Sequence, residues 1–378
     1  MNGIAKCGIN SLSLNAFLTT QIESKKLRFH VAKNGKSKCV RMHVGKDEEL
    51  CPKLQVHGTT MPSVKEITYL GDILSYDGKN AKNIKHRTSK GIGIITQVFF
   101  ILDSCSFGHF YFEMGLLLRE SMFINGVLTN ADVWHNFTPG EMKEFETLDL
   151  MYLRKLFLVP VSTPKEAFYL ELGVIPIDIV IACRRIMYLH SIVRRKAKAK
   201  MLHSFFTTQW IKPSKGDWCE IVRNDLKELG ISECLEFIGS KSTEWFREFV
   251  KAKARVLSFN NLLAKKSTHK KLNSLTYSEF RTRNYIMSDE LNTNEKRLVF
   301  KVRTRMIEFG ENFKGGMAHI MCPLCNLHFD HQDLATECPS IRDKVEITGS
   351  FSNLYKDKVC LNSVKLASKI MDIRKQQV

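Results

Sequence analysis

The sequence TPGEMKEFETLDLMYLRKLF, residues 138–157, gives the clearest indication of the fold class. Thr138 and Pro139 form a helix start, while Glu141 places negative charge in the first turn and Arg154 places positive charge near the end. Both charges suit the helix dipole. Apolar residues recur at helical spacing along the segment: Met142, Phe145, Leu148, Met151 and Leu156. The segment therefore predicts one long amphipathic helix.

A second helix is predicted at residues 217–230. Asp217 can cap this helix, with Glu220 as its capping-box partner, and Gly230 suits the helix end. The expected buried stripe consists of Trp218, Ile221, Val222, Leu226 and Leu229. Because similar periodicity covers most of the chain after residue 80, we expect a mainly α protein.

The first 80 residues have a different pattern. After a predicted helix at residues 11–25, β-rich runs follow: KLRFHV, KCVRMHVG, KLQVHG and ITYLGDILS. The last run alternates, so that Ile67 and Tyr69 face away from Thr68 and Leu70. These runs predict a small antiparallel sheet at the N-terminal end, and the whole chain is expected to be α+β.

The charge of the chain indicates the class of its partner. The 378 residues include 57 Lys and Arg against 39 Asp and Glu, which gives a net charge of +18 and a pI near 9.4. The hydrophobic content of 44% is that of a globular protein and excludes disorder as the main state. Such a surplus of positive charge favours a polyanion, because neutralised phosphates release counterions. An anionic membrane surface is the weaker alternative.

The sequence also bears on localisation. No apolar run is long enough to span a bilayer, and the N-terminus MNGIAKCGIN lacks the apolar core of a signal peptide. We therefore expect an intracellular protein, nuclear or cytoplasmic or both. We expect no membrane partner and no small-molecule substrate.

The segment CPLCNLHFDHQDLATEC, residues 322–338, is the strongest local motif. The C-x-x-C pair, Cys322 and Cys325, can present both sulfurs on one side, as tetrahedral zinc requires. Cys338 offers a third ligand, and His328 or His331 a fourth. We predict a closed structural zinc site. The alternative is a set of reduced cysteines in a loop.

A basic stripe is predicted near the end of the chain. Arg297, Lys301 and Arg305 are spaced i, i+4 and i+8, so on a helix they would form one stripe able to follow a phosphate backbone. The same stretch, LVFKVRTRM, also alternates with period two, which leaves a strand open. The commoner fate of such a run is a solvated charged face, but the net charge favours nucleic acid.

The chain has none of the common catalytic motifs. It contains no P-loop, no G-x-S-x-G, no H-E-x-x-H and no paired aspartates able to hold two Mg²⁺ ions. Asp72 and Asp77 flank the last predicted strand, where aspartate is typical of strand ends and turns.

Several blocks resemble the reverse transcriptases of LINE-type (non-LTR) retrotransposons, downstream of their catalytic aspartates. The first blocks are KLRFHVAKNGKSKCVRMHVG and ITYLGDILSYDGKNAKNIKHRTSKGIG. The segment VWHNFTPGEMKEFETLDLMYLRKLFLVPVSTPKEAFYLELG resembles the family's thumb. The blocks KGDWCEIVRNDLKELGI, VRTRM and CPLC resemble its C-terminal parts. Because many blocks match in order, the resemblance as a whole is specific.

The resemblance implies part of a right-hand polymerase: a partial palm followed by a helical thumb and C-terminal helices. The implied segments are a palm remnant with a primer-grip-like hairpin at 1–79, a helical thumb-like region at 80–240, a basic helical region at 241–313, a zinc-knuckle-like segment at 314–342 and a C-terminal tail helix at 343–378.

The resemblance and the basic stripe together give candidate residues for binding RNA or an RNA–DNA duplex. They are Lys36, Lys38, Tyr69, Leu70, Gly71, Arg87, Lys90, Arg297, Lys301 and Arg305. Tyr69, Leu70 and Gly71 would form the hairpin that grips the primer end, where glycine allows close approach of a phosphate.

Two departures from the family pattern affect these expectations. The metal-binding aspartates should precede Met1, so Mg²⁺ is expected only in a full-length enzyme and the chain is expected to be inactive alone. The family's histidine four residues before the last cysteine corresponds to Leu334. The expected zinc ligands are therefore Cys322, Cys325, His331 and Cys338. Alternative interpretations are a host-adopted helical protein-interaction module and an intact enzyme whose N-terminal part is absent from this sequence.

Overall fold

The computed structural model describes residues 40–43, 55–56, 59–135, 137–195, 200–313, 321–346, 349–356 and 360–377. The chain divides into two compact units, Met1–Ser89 and Lys90–Val378. Helices predominate, and the strands form short antiparallel pairs, which confirms the mainly α class with a small β part. The predicted helix at 11–25, the run KLRFHV, and Lys36 and Lys38 lie outside the described residues.

The described part of the first unit contains two antiparallel strand pairs. Strands β1 (Gln55–Val56) and β2 (Thr59–Thr60) pair with each other, as do β3 (Glu66–Tyr69) and β4 (Asp72–Ser75). The run ITYLGDILS is therefore two strands rather than one, because the chain reverses at Leu70 and Gly71. Both turn residues have positive φ, 49° and 84°, as in a type I′ turn, and glycine accepts this conformation without steric strain.

The first turns of helix α1 (Ala81–Ser104) hold the β3–β4 hairpin. The Asn83 Oδ1 atom accepts a hydrogen bond of 3.0 Å from the Ile73 backbone N–H. The Arg87 guanidinium donates from Nε and Nη2 to Asp72 Oδ1, at 3.0 and 2.7 Å. Arg87 and Asp72 are both buried, so this ion pair fixes the hairpin to the helix.

The second unit is built from helices, with longer connections at residues 267–283 and between Phe313 and Pro339. Helices α2 (Tyr111–Leu118) and α3 (Asn125–Val127) are linked by a π-helical segment, Arg119–Ile124. The remaining helices are α4 Pro139–Phe157, α5 Lys165–Leu172, α6 Ile177–Arg194, α7 Lys200–Ile211, α8 Trp218–Glu228, α9 Leu235–Ser240, α10 Thr243–Lys266, α11 Asn284–Met287, α12 Thr293–Arg303, α13 Gly310–Phe313, α14 Pro339–Arg342 and α15 Leu361–Gln377. None of the described helices is both long and apolar enough to cross a bilayer.

Helix α4 confirms the prediction made for residues 138–157. The Thr138 hydroxyl accepts from the Glu141 backbone N–H, and the Glu141 carboxylate accepts from the Thr138 backbone N–H, which completes a capping box. Phe145, Leu148 and Leu156 are buried as expected. The prediction for Met151 is wrong: its side chain is exposed, and Tyr152 is buried instead.

Helix α8 begins where the sequence predicts. The Asp217 carboxylate accepts a 2.8 Å hydrogen bond from the Glu220 backbone N–H, which confirms the N-cap. The capping-box expectation is wrong in its second half, because the Glu220 carboxylate accepts from Gly216 rather than from Asp217. Gly230 follows the helix at φ 62°, and Ile231 N–H donates back to Leu226 O at 2.8 Å. Both ends of α8 are therefore determined by interactions between residues close in sequence.

Helices α6, α7, α8, α9 and α10 share a hydrophobic core. It buries side chains from each of these helices, including Ile186, Trp210, Val222, Ile238 and Phe246. Each fully buried side chain of this size contributes about 1.5–3 kcal/mol through burial. Helix α10 covers the first part of the basic region 241–313. The region is not one continuous helix, because residues 267–283 contain a 3-10 turn at Lys270–Leu272 and otherwise irregular structure.

Helix α12 packs onto α4 and α5 through stacked aromatic rings. The Phe300 ring lies 3.8 Å from that of Phe157 and 5.3 Å from that of Phe168, measured between centroids, and it is nearly parallel to both. The Arg303 Nε atom then donates to both oxygens of Glu171 at the end of α5, at 3.1 and 3.0 Å. Residues far apart in sequence are thereby held in one buried contact.

Helix α15 covers Leu361–Gln377, the second half of the region 343–378 for which a tail helix is predicted, and a 3-10 turn at Phe351–Tyr355 precedes it. Its Arg374 donates from Nη1 and Nη2 to the two carboxylate oxygens of Asp330, at 2.8 and 2.9 Å. Both side chains are buried. A bidentate pair of this kind fixes the orientation of the two groups, so the cysteine-containing segment is attached to the last helix.

Candidate functional site

Three cysteines meet in the segment after α13. The Sγ atoms of Cys322, Cys325 and Cys338 all lie within 4.8 Å of one another. Cys322 and Cys338 are buried, and Cys325 is half-buried. Within the described part of the chain, no other group of three or more His, Cys, Asp or Glu side chains brings its ligand atoms this close.

Local backbone structure brings the sulfurs together. The Cys322 N–H donates to His328 O at 2.7 Å, and the Asn326 N–H donates to Cys322 O at 2.9 Å, so the chain between them forms a tight turn. Cys338 stands directly before α14. The Ser340 hydroxyl in that helix donates to Leu324 O at 3.1 Å, which ties the two cysteine segments to each other.

The sulfur spacing fits a tetrahedral metal site. Zinc bound to thiolates has Zn–S distances of about 2.3 Å, and tetrahedral angles then place two sulfurs about 3.8 Å apart. The Sγ atoms of Cys322 and Cys338 are 3.8 Å apart. This pair has the spacing of two ligands of one ion, and all three cysteines are close enough to bind a metal ion.

Burial and neighbouring groups affect the acidity of these thiols. Burial, followed by the adjacent Cys325, raises the pKa of Cys338 to about 11. Burial acts in the same direction on Cys325, but hydrogen bonds from the backbone N–H groups of Leu327 and His328 outweigh it and lower the Cys325 pKa. Thiolates are the metal-binding form, so metal binding would release protons from this cluster.

The predicted fourth ligand, His331, lies outside the cluster. Neither His328 nor His331 contributes an atom to the group of ligand atoms within 4.8 Å. The neighbours of His331 explain this: Asp330 is bound by Arg374, and Gln332 Nε2 donates to Val302 O at 2.9 Å. Because both neighbours are anchored in the helical body, the backbone at His331 follows that body rather than the sulfurs.

The predicted stripe of Arg297, Lys301 and Arg305 does not form on one helix. Helix α12 excludes a strand here, but it ends at Arg303, and Arg305 lies beyond it with φ 52°. Arg305 Nη2 pairs with Asp333 at 2.7 Å. A left-handed residue turns the chain away from the helix axis, so Arg305 does not continue the face of the helix.

Of the two remaining members of that stripe, Arg297 contacts other parts of the protein and Lys301 is half-buried. Arg297 Nε donates to Leu156 O at 3.2 Å, and its guanidinium lies 4.9 Å from the centre of the Tyr111 ring. Lys301 is half-buried; burial lowers its pKa, and the nearby charge of Arg297 acts in the same direction. The contacts of Arg297 and the partial burial of Lys301 make both side chains less accessible to a phosphate.

The candidates near the hairpin differ in accessibility. At the hairpin tip Tyr69 is 61% exposed and Leu70 is 75% exposed, and Gly71 is exposed between the strands. Lys90 is also exposed. Arg87 was predicted to contact nucleic acid, but it is buried and its guanidinium is bound to Asp72. This pairing gives Arg87 a structural role, which is to hold the hairpin against α1.

Helix α10 carries a basic stripe that the sequence reasoning missed. Arg247, Lys251 and Arg255 are spaced i, i+4 and i+8, and all three are exposed. They span about 12 Å along the helix. Arg255 Nη2 also donates to Phe280 O at 3.0 Å. The same spacing rule applied to residues 243–266 would have identified the stripe.

A scan against protein-family models and searches of curated proteins and of solved structures found no match to this chain. The features of the chain that bear on its function are therefore the thiol cluster, the exposed basic residues and the net charge. Among these, the α10 stripe presents three exposed cations at helical spacing, with the exposed Glu244 and Glu248 on the same side of the helix.

Proposed function

We propose that this chain is the C-terminal part of a LINE-type reverse transcriptase and that it binds RNA or RNA–DNA duplexes without catalysing polymerisation alone. The observation that carries the proposal is the exposed stripe Arg247, Lys251 and Arg255 on a chain with a net charge of +18. A row of cations at helical spacing can contact successive phosphates of a duplex backbone. In the proposed assignment, the hairpin belongs to the palm and the helices that follow it to the thumb.

Internal ion pairs do not account for the positive surplus. Buried arginines are neutralised by buried carboxylates in the pairs Arg87–Asp72, Arg119–Asp149, Arg185–Asp225, Arg303–Glu171 and Arg374–Asp330. The two charges of each pair cancel, so the net charge of +18 comes from residues outside these pairs. Solvent-exposed cations of this kind attract polyanions over distances of about one Debye length.

The duplex proposal predicts a specific salt dependence. Replacing Arg247, Lys251 and Arg255 together by glutamine should weaken binding to an RNA–DNA duplex for all sequences alike. The slope of log K against log salt should fall in magnitude by about 0.7–0.9 for each phosphate that the variant no longer neutralises, or about 2–3 in total. Fluorescence anisotropy across a salt titration measures both quantities. Glutamine keeps a high helix propensity, so α10 should remain folded.

A matched variant controls for total charge. Lys143, Lys227 and Lys365 are exposed and distributed over α4, α8 and α15, and their replacement by glutamine removes the same net charge. This variant should retain a slope close to that of the wild type. An equal decrease of the slope in the two variants would contradict the α10 interface, because it would show that only the overall charge matters.

We further propose that the ion bound by the three cysteines is zinc and that its role is structural. Thiolate sulfur is a soft ligand that zinc accepts in tetrahedral sites, and three of them occupy most of such a site. Cys322, Cys325 and Cys338 would hold the ion, with the fourth ligand coming from a group outside this set. The ion would then connect the turn after Cys322 with the start of α14.

Metal content tests the zinc proposal directly. We expect about one zinc per chain in the wild type and close to none in Cys325→Ser, since removing one thiolate from a three-cysteine set leaves too few protein ligands. Cys234→Ser is the matched control, because Cys234 is an exposed cysteine outside the cluster. Elemental analysis after dialysis gives the ratio. Negligible zinc in the wild type and in both variants would show that the cluster is a set of reduced thiols.

A further inference from the structure

An aromatic cluster lies at the surface where α9 meets α10. The rings of Trp245 and Phe249 stack with centroids 5.0 Å apart and planes 14° apart. The Phe237 ring meets both edge-on, at 6.3 Å from Trp245 and 6.1 Å from Phe249. Trp245 is 46% exposed, and the other two are half-buried. The cluster therefore presents an indole to solvent on a rigid support.

Lysine ammonium groups lie over these rings. Lys241 Nζ is 5.1 Å from the centre of the Trp245 ring and 5.4 Å from that of Phe237. Lys253 Nζ is 5.7 Å from the centre of the Phe249 ring. All three distances are within cation–π range. Any partner that covers the aromatic cluster must also accommodate two ammonium groups.

The charges around Trp245 are distributed unevenly. At about 100° per residue, Lys253 lies on one side of the Trp245–Phe249 line along α10, while Glu244 and Glu248 lie on the other. Both glutamates are exposed. On the glutamate side Lys251 and Arg255 lie among the two carboxylates and the charges partly offset, so Lys253 is the α10 cation that offers an anionic partner a charge beside the indole.

We propose that the cluster of Phe237, Trp245 and Phe249 binds single-stranded nucleic acid. The Lys241 ammonium would leave the Trp245 ring to pair with a flanking phosphate, an unpaired base would stack on the ring in its place, and Lys253 would pair with a neighbouring phosphate. Aromatic rings beside cations are the general means by which proteins hold single strands, because every base has a π face. The proposal rests on the proposed function in that nucleic acid is the partner. It adds a single-stranded site distinct from the duplex-binding stripe.

A purely apolar partner fits this surface less well. Covering Trp245 with apolar side chains would remove the ammonium groups of Lys241 and Lys253 from water without giving them anionic partners, and burying an unpaired charge is costly. A nucleic acid strand supplies a phosphate for each ammonium group and a ring for the indole. The charge complementarity therefore favours the strand over a hydrophobic helix.

Tryptophan fluorescence provides the first test, with a dodecamer of uridylate as the probe. Trp134 and Trp210 are buried, and the half-buried Trp218 donates from Nε1 to Asp132 O. Trp245 is therefore the indole that a bound base can reach. We expect the oligonucleotide to quench part of the wild-type emission and to leave the emission of Trp245→Phe unchanged.

Affinity measurements on three variants test the stacking. Trp245→Ala should weaken oligouridylate binding by about 5- to 150-fold, which corresponds to about 1–3 kcal/mol for one stacked base. Trp245→Phe should retain most of the affinity, because it keeps a ring. Trp245→Leu keeps apolar bulk without a ring and should resemble alanine. Binding of an RNA–DNA duplex of equal length should be similar in all three, and circular dichroism checks that α10 stays helical.

The outcomes separate this inference from the proposed function. If Trp245→Ala binds oligouridylate like the wild type while the α10 stripe variant has a reduced salt slope, the single-strand site is wrong and the duplex interface stands. If Trp245→Leu keeps wild-type affinity, or if light scattering shows a self-association that Trp245→Ala abolishes, the surface docks protein and the inference is overturned. If the wild type binds neither probe at any salt concentration, both proposals fail.

Discussion

Replacing Glu171 by alanine is expected to destabilise the protein by about 3–5 kcal/mol, because it leaves a buried arginine without its counter-charge. The Glu171 carboxylate is fully buried and accepts from Arg303 Nε and, at 2.6 Å, from the Tyr277 hydroxyl. Arg303 Nη1 also donates to Leu354 O and Lys356 O, at 2.9 Å each. The arginine is thus committed to this site and cannot reach water when Glu171 is removed.

Urea unfolding of Glu171→Ala and of a matched variant measures this effect. Glu279→Ala removes the carboxylate from an exposed pair with Arg281, and such pairs contribute about 0–1 kcal/mol. We expect its midpoint to stay close to that of the wild type. In a double-mutant cycle, Arg303→Ala should cost less in the Glu171→Ala background than alone, since the charge is then already unpaired. Similar midpoints for Glu171→Ala and Glu279→Ala would contradict the predicted role of the pair.

Gly173→Ala is expected to destabilise the protein by about 2–5 kcal/mol. Gly173 ends α5 at φ 61°, a conformation that costs a residue with a Cβ about 1–2 kcal/mol. An added Cβ would also lie 2.4 Å from the carbonyl carbon and 2.6 Å from the Cα of Arg281. Because both are backbone atoms, they cannot move aside as a flexible side chain would, and overpacking adds about 1–3 kcal/mol.

Gly230→Ala separates the two contributions. Gly230 has nearly the same φ, 62°, but nothing lies within 4 Å of a Cβ built there. Its alanine variant should show only the conformational cost of about 1–2 kcal/mol. Thermal or urea unfolding of both variants gives the difference, which reports the close approach of Arg281 to Gly173. Equal destabilisation in the two variants would mean that the close approach has no energetic weight.

These two positions explain why distant blocks of the sequence belong together. Glu171 and Gly173 end the block YLELG, and Arg303 lies in the block VRTRM. Arg303 follows Glu171 by 132 residues, yet the two side chains form a buried ion pair. In the structure, the blocks YLELG and VRTRM are therefore held together by this buried ion pair.

Features governed by neighbouring residues were predictable from the sequence. The start of α4 depends on Thr138 and Glu141, and the start of α8 on Asp217, and all of these interactions act within one helical turn. The spacing of Cys322 and Cys325 likewise indicates a shared site, which the structure brings together with Cys338. The mainly helical class followed from the same short-range periodicity.

The roles of individual charged side chains required the tertiary structure. Sequence spacing does not distinguish Arg87, Arg297 and Arg305 from other cations. In the structure, Arg87 pairs with Asp72, Arg297 donates to Leu156 O, and Arg305 pairs with Asp333. Each of these partners is at least 15 residues away. Sequence periodicity describes one helix at a time, so it carries no information about which distant carboxylate or carbonyl will be nearby.

The sequence by itself determined the helical class, the helix caps, the small β part, the net charge of +18 and the clustering of cysteines. The tertiary structure decided that His331 stands apart from the sulfurs, that Met151 is exposed and that Arg247, Lys251 and Arg255 form the accessible basic row. The physical reason is how far apart in sequence the interacting residues lie. Capping and periodicity depend on contacts within a few residues, whereas burial and ion pairing depend on which helices pack together.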